Sequence, residues 1–245
     1  MKAALRQLLA RLGRAKAKPA PELEAAEIDR TIADIRAARL SYCGPPKLEN
    51  IAQALQQVRH DKVPGRYIEA GVALGGSAIL LGLLKPERVA LDLYDVFSMI
   101  PPPGDNDGDD AHQRYDVIRS GNSSGLGGDP YYGYVDGLIH QVEANLRRFG
   151  LEPEGGTIRL VAGLFEDTLN PAGPVALAHI DCDWYDSVKV CIERIAPRMS
   201  PGGIMIFDDY SSYSGCRRAV DEWLEQAGGM EKLFHRRSLG VRRAD

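Results

Sequence analysis

A short apolar run that stops on acidic residues limits this 245-residue chain to few folds. Residues 175–180, VALAHI, are apolar almost throughout, which predicts a strand covered on both faces by helices. The run is followed by Asp181 and Asp183, and then by Trp184 and Tyr185. Ligands of open α/β sheets bind at the carboxyl ends of the strands. We therefore expect the chemistry of this chain to lie where this strand stops.

The next predicted strand, residues 203–207, stops in the same way on Asp208 and Asp209. If the two strands are neighbours, three carboxylates, those of Asp181, Asp208 and Asp209, converge on one small volume. Like charges that close repel and raise one another's pKa, so a cation is needed to neutralise them. The pattern therefore predicts a hard divalent ion at this edge of the sheet.

A glycine-rich turn follows the first predicted strand, residues 66–69, and leads into a helix. Its sequence, AGVALGGS over residues 70–77, lets the backbone approach a ligand closely, and helix N-termini favour anionic ligand atoms. The spacing is not GxGxxG, so the dinucleotide fingerprint is absent. A plain tight turn is the alternative interpretation.

An acidic residue follows this turn at the distance typical of a ribose-binding carboxylate. The second predicted strand, residues 88–93, ends close to Asp92 and Asp95, about 20 positions after the turn. Either carboxylate could instead form a turn at the strand end. The order strand, glycine turn, helix, strand and acid predicts a nucleoside-containing cofactor.

Composition excludes several other classes of protein. A net charge of −4 gives no reason to expect a nucleic-acid surface, and the arginine pairs 236–237 and 242–243 are typical of solvated strands. No apolar run is long enough to span a bilayer, and residues 1–18 lack the apolar core of a signal peptide. The four cysteines form no CxxC pair. We expect a cytoplasmic protein without a nucleic-acid partner or a membrane span.

The N-terminal quarter has a helical pattern. Residues 2–17 predict an amphipathic helix, and residues 22–40 and 47–60 predict two more. We expect a helical extension over residues 1–62 and a single α/β domain over residues 63–245. The first helix suits contact with a partner subunit, which predicts a homo-oligomer, whereas fraying and binding to a membrane surface are the alternatives.

Residues 101–134 are rich in Gly, Pro, Asp and Ser and predict a long loop. Loops of this length in compact domains are commonly lids or binding loops. Tyr131, Tyr132 and Tyr134 would be unusual in a segment that only contacts solvent. We therefore expect a lid that is mobile without ligand, the alternative being a mobile surface loop.

The rest of the chain continues the alternation of strands and helices. Further elements are predicted as helices over 135–149, 186–196 and 216–226, a strand over 157–161, and a closing hairpin of 232–235 with 238–242. Alternation of this kind predicts an α/β fold, a mostly parallel sheet with helices on both faces. The hairpin adds an antiparallel C-terminal edge.

Six segments together resemble the macrocin O-methyltransferase family of S-adenosylmethionine-dependent sugar methyltransferases. They follow the family's order between about residues 40 and 225: PGRYIEAGVALGGSAI, YDVFSMIPPP, VEANLRRFGL, GLFEDTL, HIDCDWYDS and PGGIMIFDDYSSYSGCRRAVDEW. The resemblance implies a class I methyltransferase (Rossmann-like) fold, a magnesium ion held by three aspartates and methylation of a sugar hydroxyl.

The resemblance also implies the site residues. The metal ligands fall at Asp181, Asp208 and Asp209, with Asp181 as the catalytic general base, and three Asp without Cys or His favour Mg²⁺. Asp95 is expected at the ribose and Gly163 with Phe165 near the adenine. The implied cofactor-binding residues are Ser41, Tyr42, Glu69, Gly71, Val72, Gly75, Gly76, Ser77, Asp95, Gly163, Phe165 and Asp181.

The chain departs from the family at several of these positions. Ala73-Leu74 stands where the family often has Trp and a basic residue, Leu164 stands where it has Trp, and His179 and Cys182 also differ. Residues 105–134 do not align, so the identity of the sugar is not carried over. A catechol-like phenol as acceptor, a metal-dependent hydrolase and a non-catalytic S-adenosylmethionine-binding module are the alternatives.

Overall fold

A computed structural model describes residues 24–153 and 155–244, and in these residues seven strands form one sheet of order β3-β2-β1-β4-β5-β7-β6. The strands are β1 (Arg66–Ala70), β2 (Leu91–Asp95), β3 (Ile158–Ala162), β4 (Val175–Ile180), β5 (Met199–Phe207), β6 (Met230–Arg236) and β7 (Ser238–Arg243). The helices are α1 (Ala25–Ala37), α2 (Pro45–His60), α3 (Gly76–Leu84), α4 (Asp109–Arg119), α5 (Leu138–Arg148), α6 (Phe165–Thr168), α7 (Tyr185–Ile195) and α8 (Ser214–Gln226).

Strands β1 to β5 are parallel, and β7 runs antiparallel between β5 and β6. This confirms the predicted α/β class, the parallel sheet and the antiparallel C-terminal hairpin. The order reverses between β1 and β4, which is the position where open α/β sheets bind ligands. Backbone hydrogen bonds continue past the strand ends, from Asp181 N to Ala70 O at 2.8 Å and from Asp208 N to Ile180 O at 2.9 Å. The acidic residues of β4 and β5 are therefore held side by side.

Helices cover both faces of the sheet. One core layer joins α1, α2, α3 and α5 to strand residues such as Tyr67, Leu177 and Ile204, and the other joins α7 and α8 to Ile68, Ala178 and others. Because side chains alternate along a strand, the two layers take alternate strand residues. The helices of the predicted N-terminal extension thus share the core of the α/β domain.

The segment over residues 101–134 contains more regular structure than its sequence predicts. Helix α4 has a mostly polar sequence, and its buried residues are Ala111 and Ile118, so it carries little apolar periodicity. Acidic side chains nearby bind helix N-termini: Asp107 Oδ1 accepts from Tyr185 N of α7 at 2.7 Å, and Asp110 accepts from Ser214 N of α8 at 2.7 Å. Carboxylates are stabilising at such positions.

Two sequence predictions fall outside the described residues: the helix over residues 2–17 and an oligomer formed through it. Within residues 24–153 and 155–244, no helix is both long and apolar enough to cross a membrane.

Gly71 follows β1 at the position where the strand order reverses, and its backbone lies very close to the backbone that follows β4. Its φ is 91°, in the left-handed region, and a Cβ there would collide with the backbone carbonyl of Asp181. Glycine is therefore required at this position for two reasons: the positive φ, and the close approach of the two strand ends.

We expect Gly71→Ala to lower the free energy of unfolding by more than about 3 kcal/mol, because positive φ alone costs roughly 1–3 kcal/mol and the collision adds to it. Gly121→Ala is the matched control, since Gly121 has a φ of 77° and open space around its Cβ position. Urea denaturation of both variants measures the difference. Equal losses in the two variants would show that strand approach at Gly71 is unimportant.

Candidate active site

Two cavities meet at the carboxyl ends of β1, β2 and β4. The first has a volume of about 280 Å³ and is bounded by residues 163–166 and by the start of the predicted lid. The second has a volume of about 260 Å³ and lies beneath Tyr42, Tyr131 and Tyr213. Residues lining both cavities are Gly71, Asp95, Tyr132, Asp181, Asp183 and Trp184. A molecule in one cavity can therefore contact a molecule in the other.

The predicted adenine residues Gly163 and Phe165 line the first cavity. Leu164, which replaces the family's Trp, lies between them and is 45% exposed. The residues that the sequence predicts at the adenine therefore lie on the same wall of this cavity. A flat aromatic ring and an exposed backbone at this wall suit a planar base.

Asp95 is engaged by the glycine turn itself. Its Oδ2 accepts from Val72 N at 2.6 Å and Ala73 N at 3.1 Å, and its Oδ1 accepts from Phe97 N at 2.7 Å. Burial raises the pKa of Asp95, an effect that the backbone N–H donors partly offset. Asp95 therefore fixes the shape of the turn as well as lining both cavities.

Asp92, the other candidate for the ribose, lies away from the cavities. It is buried and pairs with Arg66 and, at 3.1 Å, with Arg159. These partners explain its burial without a ligand.

The other residues of the glycine turn that were predicted to bind cofactor stabilise the conformation of the turn. Val72 donates its backbone N–H to Asp95, and Gly75 is the N-cap residue of α3, with a φ of 88°. A Cβ at Gly76 would collide with Leu40, and Ser77 is buried. Of the turn residues predicted to bind cofactor, Gly71 is the one that lines the cavities.

Ser41 and Tyr42, both predicted to bind cofactor, precede α2, and of these two residues Tyr42 lines the second cavity. Ser41 Oγ accepts from the backbone N of Cys43 at 3.1 Å, which shapes the turn. The ring of Tyr42 lines the cavity and lies 6.2 Å from the ring of Tyr131 and 5.5 Å from that of Tyr132. The predicted cover and the predicted lid therefore contact each other.

The carboxylates that end β4 and β5 converge as the sequence predicts. Asp181, Asp183, Asp208 and Asp209 all line the second cavity. Burial, and then the neighbouring Asp208 and Asp209, raise the pKa of Asp181 well above its usual range. Burial and Asp209 do the same for Asp183, whose backbone lies in the left-handed region at a φ of 59°. The ionised forms of Asp181 and Asp183 are therefore disfavoured unless a cation lies beside them.

Lys47, in the first turn of α2, is a site residue that the sequence analysis missed. Its ammonium group pairs with Oδ2 of Asp208 and, at 3.2 Å, with Oδ1 of Asp209. Burial disfavours the charged ammonium, but Asp209, Asp208 and Asp181 outweigh burial and raise the pKa of Lys47. The ammonium group of Lys47 thus bridges the two carboxylates that follow β5.

His179 supplies a second internal cation. Its Nδ1 lies 2.9 Å from Oε1 of Glu69 and its Nε2 lies 3.5 Å from Oδ1 of Asp208, with no solvent exposure. Burial lowers its pKa, but hydrogen bonds to Asp208 and Glu69 outweigh burial and raise the pKa to about 9. Glu69, predicted as a cofactor contact, lies beneath the site and pairs with this histidine.

The donor set fits a divalent cation. Asp181, Asp208 and Asp209 offer oxygen ligands, which Mg²⁺ prefers. Oδ2 of Asp209 is buried without a hydrogen-bond donor in the described residues, so it has capacity to ligate. Cys43 adds a buried thiol, with Sγ 3.6 Å from Oδ2 of Asp181 and 3.7 Å from Oδ2 of Asp208. The sequence analysis searched for paired cysteines and did not detect this one.

Comparison with known proteins identifies the family of this chain. The family described as macrocin O-methyltransferase (TylF) matches residues 2–241. An 8-demethyl-8-(2,3-dimethoxy-alpha-L-rhamnosyl)-tetracenomycin-C 4'-O-methyltransferase of Streptomyces olivaceus is 32% identical over 206 residues, which cover 81% of this chain and 72% of the relative. Demethyldecarbamoylnovobiocin O-methyltransferase of Streptomyces niveus is 32% identical over 187 residues, covering 74% and 66%. The solved O-methyltransferase NovP matches with a TM-score of 0.72 at 24% identity, covering 90% of this chain and 99% of that one.

We expect Lys47→Met to lower the free energy of unfolding by about 3 kcal/mol, because breaking a buried ion pair leaves uncompensated carboxylates. Added Mg²⁺ should recover more stability in this variant than in the wild type, since the cation replaces the lost charge. Thermal unfolding with and without Mg²⁺ measures both effects.

Lys85→Met is the matched control. Lys85 is buried and donates to Thr157 Oγ1 at 2.7 Å and to the backbone of Glu87, not to a carboxylate. Mg²⁺ should not rescue it. Equal effects of Mg²⁺ on both lysine variants would contradict a cation site beside Lys47.

Proposed function

Because the chain belongs to the macrocin O-methyltransferase family and is an O-methyltransferase, we propose that it methylates a sugar hydroxyl of a glycosylated natural product, with S-adenosylmethionine as donor. The rhamnosyl tetracenomycin named by one relative supports a sugar acceptor. The observation that carries the proposal is the position of Asp181, which lies in the wall shared by two adjoining cavities.

The first cavity is assigned to S-adenosylmethionine, which supplies a methyl group on a positively charged sulfur. Gly71 brings backbone close to the cofactor, and Phe165 with Gly163 lies at the end assigned to the base. Asp95 holds the glycine turn and has lone pairs left to accept from ribose hydroxyls. Carboxylates at the shared wall favour the positive sulfur at that end of the cavity.

The second cavity is assigned to the acceptor sugar. Tyr42, Tyr131 and Tyr213 present rings that suit the apolar face of a sugar, and their hydroxyls suit its polar groups. Arg114 of α4 lies over the ring of Tyr131 at 5.5 Å and adds hydrogen-bond donors. Arg114 and Tyr131 come from the segment that does not align with the family, which supports an acceptor specific to this chain.

We also propose that residues 101–134 act as a lid over both cavities. Trp184 Nε1 donates to Pro101 O at 2.9 Å, and Asp107 and Asp110 bind the N-termini of α7 and α8. These contacts anchor the first part of the segment. The later part of the segment places Tyr131 and Tyr132 in the wall of the second cavity, where they serve to exclude water from the reacting groups.

Asp181, Asp208 and Asp209 would hold Mg²⁺, which supplies positive charge that favours the deprotonated form of an acceptor hydroxyl. Asp181 is assigned to accept the hydroxyl proton, because it faces both cavities. Lys47 and His179 hold Asp208 in place through its two oxygens. Of the three aspartates Asp181, Asp208 and Asp209, this leaves Asp181 as the one with no lysine or histidine partner among the contacts described above.

Family membership sets aside the metal-dependent hydrolase and the non-catalytic binding module. A catechol-like phenol stays the competing acceptor, which an assay of sugar and phenol acceptors distinguishes. A cytoplasmic location and a homo-oligomer formed through the N-terminal helices stay predictions.

We expect Asp181→Asn to abolish methyl transfer while S-adenosylmethionine still binds, because the amide keeps the side-chain volume but cannot accept a proton. A methyl-transfer assay with a glycoside acceptor and Mg²⁺, together with calorimetric titration of the cofactor, measures both. Asp116→Asn, an isosteric change at an exposed carboxylate that pairs with Arg119, is the control. Near wild-type turnover by Asp181→Asn would remove it as the base.

We expect Asp95→Ala to weaken S-adenosylmethionine binding by about 1–3 kcal/mol, because a charged acceptor is lost and the glycine turn loses its two hydrogen bonds to that acceptor. Asp92→Ala is the control: it should lower stability through Arg66 and Arg159 without changing cofactor affinity. Calorimetry and urea denaturation separate the two effects. If Asp95→Ala alters stability alone, the ribose contact lies elsewhere.

A further inference from the structure

A buried thiol joins the carboxylates of the second cavity, and the proposed reaction does not use it. Cys43 lies in the turn that precedes α2. Its Sγ and one oxygen each from Asp181 and Asp208 all lie within 4.8 Å of one another. Two carboxylates of the predicted magnesium set therefore share their space with a soft donor.

The distances in this cluster match those of a zinc site. Zinc binds thiolate sulfur at about 2.3 Å and carboxylate oxygen at about 2.0–2.2 Å in a tetrahedron, so sulfur and oxygen lie roughly 3.6 Å apart. The two Sγ–Oδ2 distances here are 3.6 and 3.7 Å. One thiol has a single proton and cannot donate fully to both oxygens, whereas one cation can contact all three atoms.

A second observation in the same cavity also indicates a cation. Asp209 is 5% exposed, and its Oδ2 is buried with no hydrogen-bond donor in the part of the chain that the structure describes. An unpaired buried carboxylate oxygen is costly. Asp209 lines the same cavity as Cys43, and its other carboxylate oxygen pairs with the Lys47 ammonium group that also pairs with Asp208 of the cluster.

Resting on the proposed role of the carboxylates, we propose that Cys43 is a metal ligand and that the cluster binds a thiophilic divalent cation such as Zn²⁺ more tightly than Mg²⁺. Carboxylates alone suit Mg²⁺, whereas a thiolate shifts preference to zinc-like ions. The thiol releases its proton to solvent as the sulfur–metal bond forms, and no oxidation is involved. The cation specificity of this chain thus differs from that of a three-aspartate site.

Lys47 opposes this binding. Its ammonium group pairs with the same Oδ2 of Asp208 that lies 3.7 Å from Cys43, so ammonium and metal compete for one oxygen. Lys47→Met should therefore strengthen binding of the cation, and Cys43→Ser should weaken it. Opposite signs from two neighbouring residues distinguish ligation from a general disturbance of the site.

Titration of the reduced, full-length protein with Co²⁺ tests the proposal, because cobalt occupies zinc sites and a thiolate ligand gives it a charge-transfer absorption band. We expect the wild type to develop this band with one equivalent of Co²⁺, and Zn²⁺ but not equimolar Mg²⁺ to abolish it. Cys43→Ser should lose the band and bind Zn²⁺ about tenfold or more weakly by calorimetry. Cys191→Ser, a change at another buried cysteine, should keep the band.

A wild type that binds Co²⁺ without a thiolate band, or a Cys43→Ser protein that keeps the band, overturns the proposal. The wild-type spectrum decides the matter even if the serine variant does not fold. The titration contains neither S-adenosylmethionine nor acceptor, so its failure leaves the methyl-transfer proposal to the Asp181→Asn assay.

Discussion

Negative charge buried at the ends of β4 and β5 is the constraint on which the rest of the structure depends. Asp208 is almost completely buried, a position that a carboxylate occupies only with partners. Lys47 binds one of its oxygens and His179 approaches the other, and together they outweigh the effect of burial and lower its pKa. The packing of α2 against the sheet therefore places the Lys47 ammonium group beside the carboxylates at the end of β5.

This coupling explains why the helices before β1 share the core with the sheet. Leu48, Ile51 and Leu55 of α2 are completely buried, and their burial holds the helix against the sheet. The apolar contacts supply stability that the ion pair alone would not, since a buried pair barely offsets its own desolvation. Lys47 then sits where its charge is required.

The sequence predicts those features of the fold that depend on local patterns of residues. Apolar runs gave the strands and the acidic residues gave the sheet edge, because side-chain alternation and strand ends are local properties. The sequence did not indicate Lys47 and Cys43, because each lies more than 130 residues from the carboxylates that it contacts. A single lysine or cysteine also forms no recognisable sequence pattern. Helix α4 was missed because acidic residues at helix ends, not apolar periodicity, hold that segment in place.

The cluster remains unbalanced even after its internal partners are counted. Burial keeps the pKa of Asp181 and of Asp183 raised, and oxygens of Glu69 and Asp209 lack a donor in the described residues. A chain optimised for stability alone would replace such groups, so their presence indicates a use. If the internal cations neutralised every carboxylate, the cavity would hold no charge to attract an external cation. The apolar layers on both faces of the sheet tolerate this local cost, and the proposed cation site depends on the carboxylates that lack an internal partner.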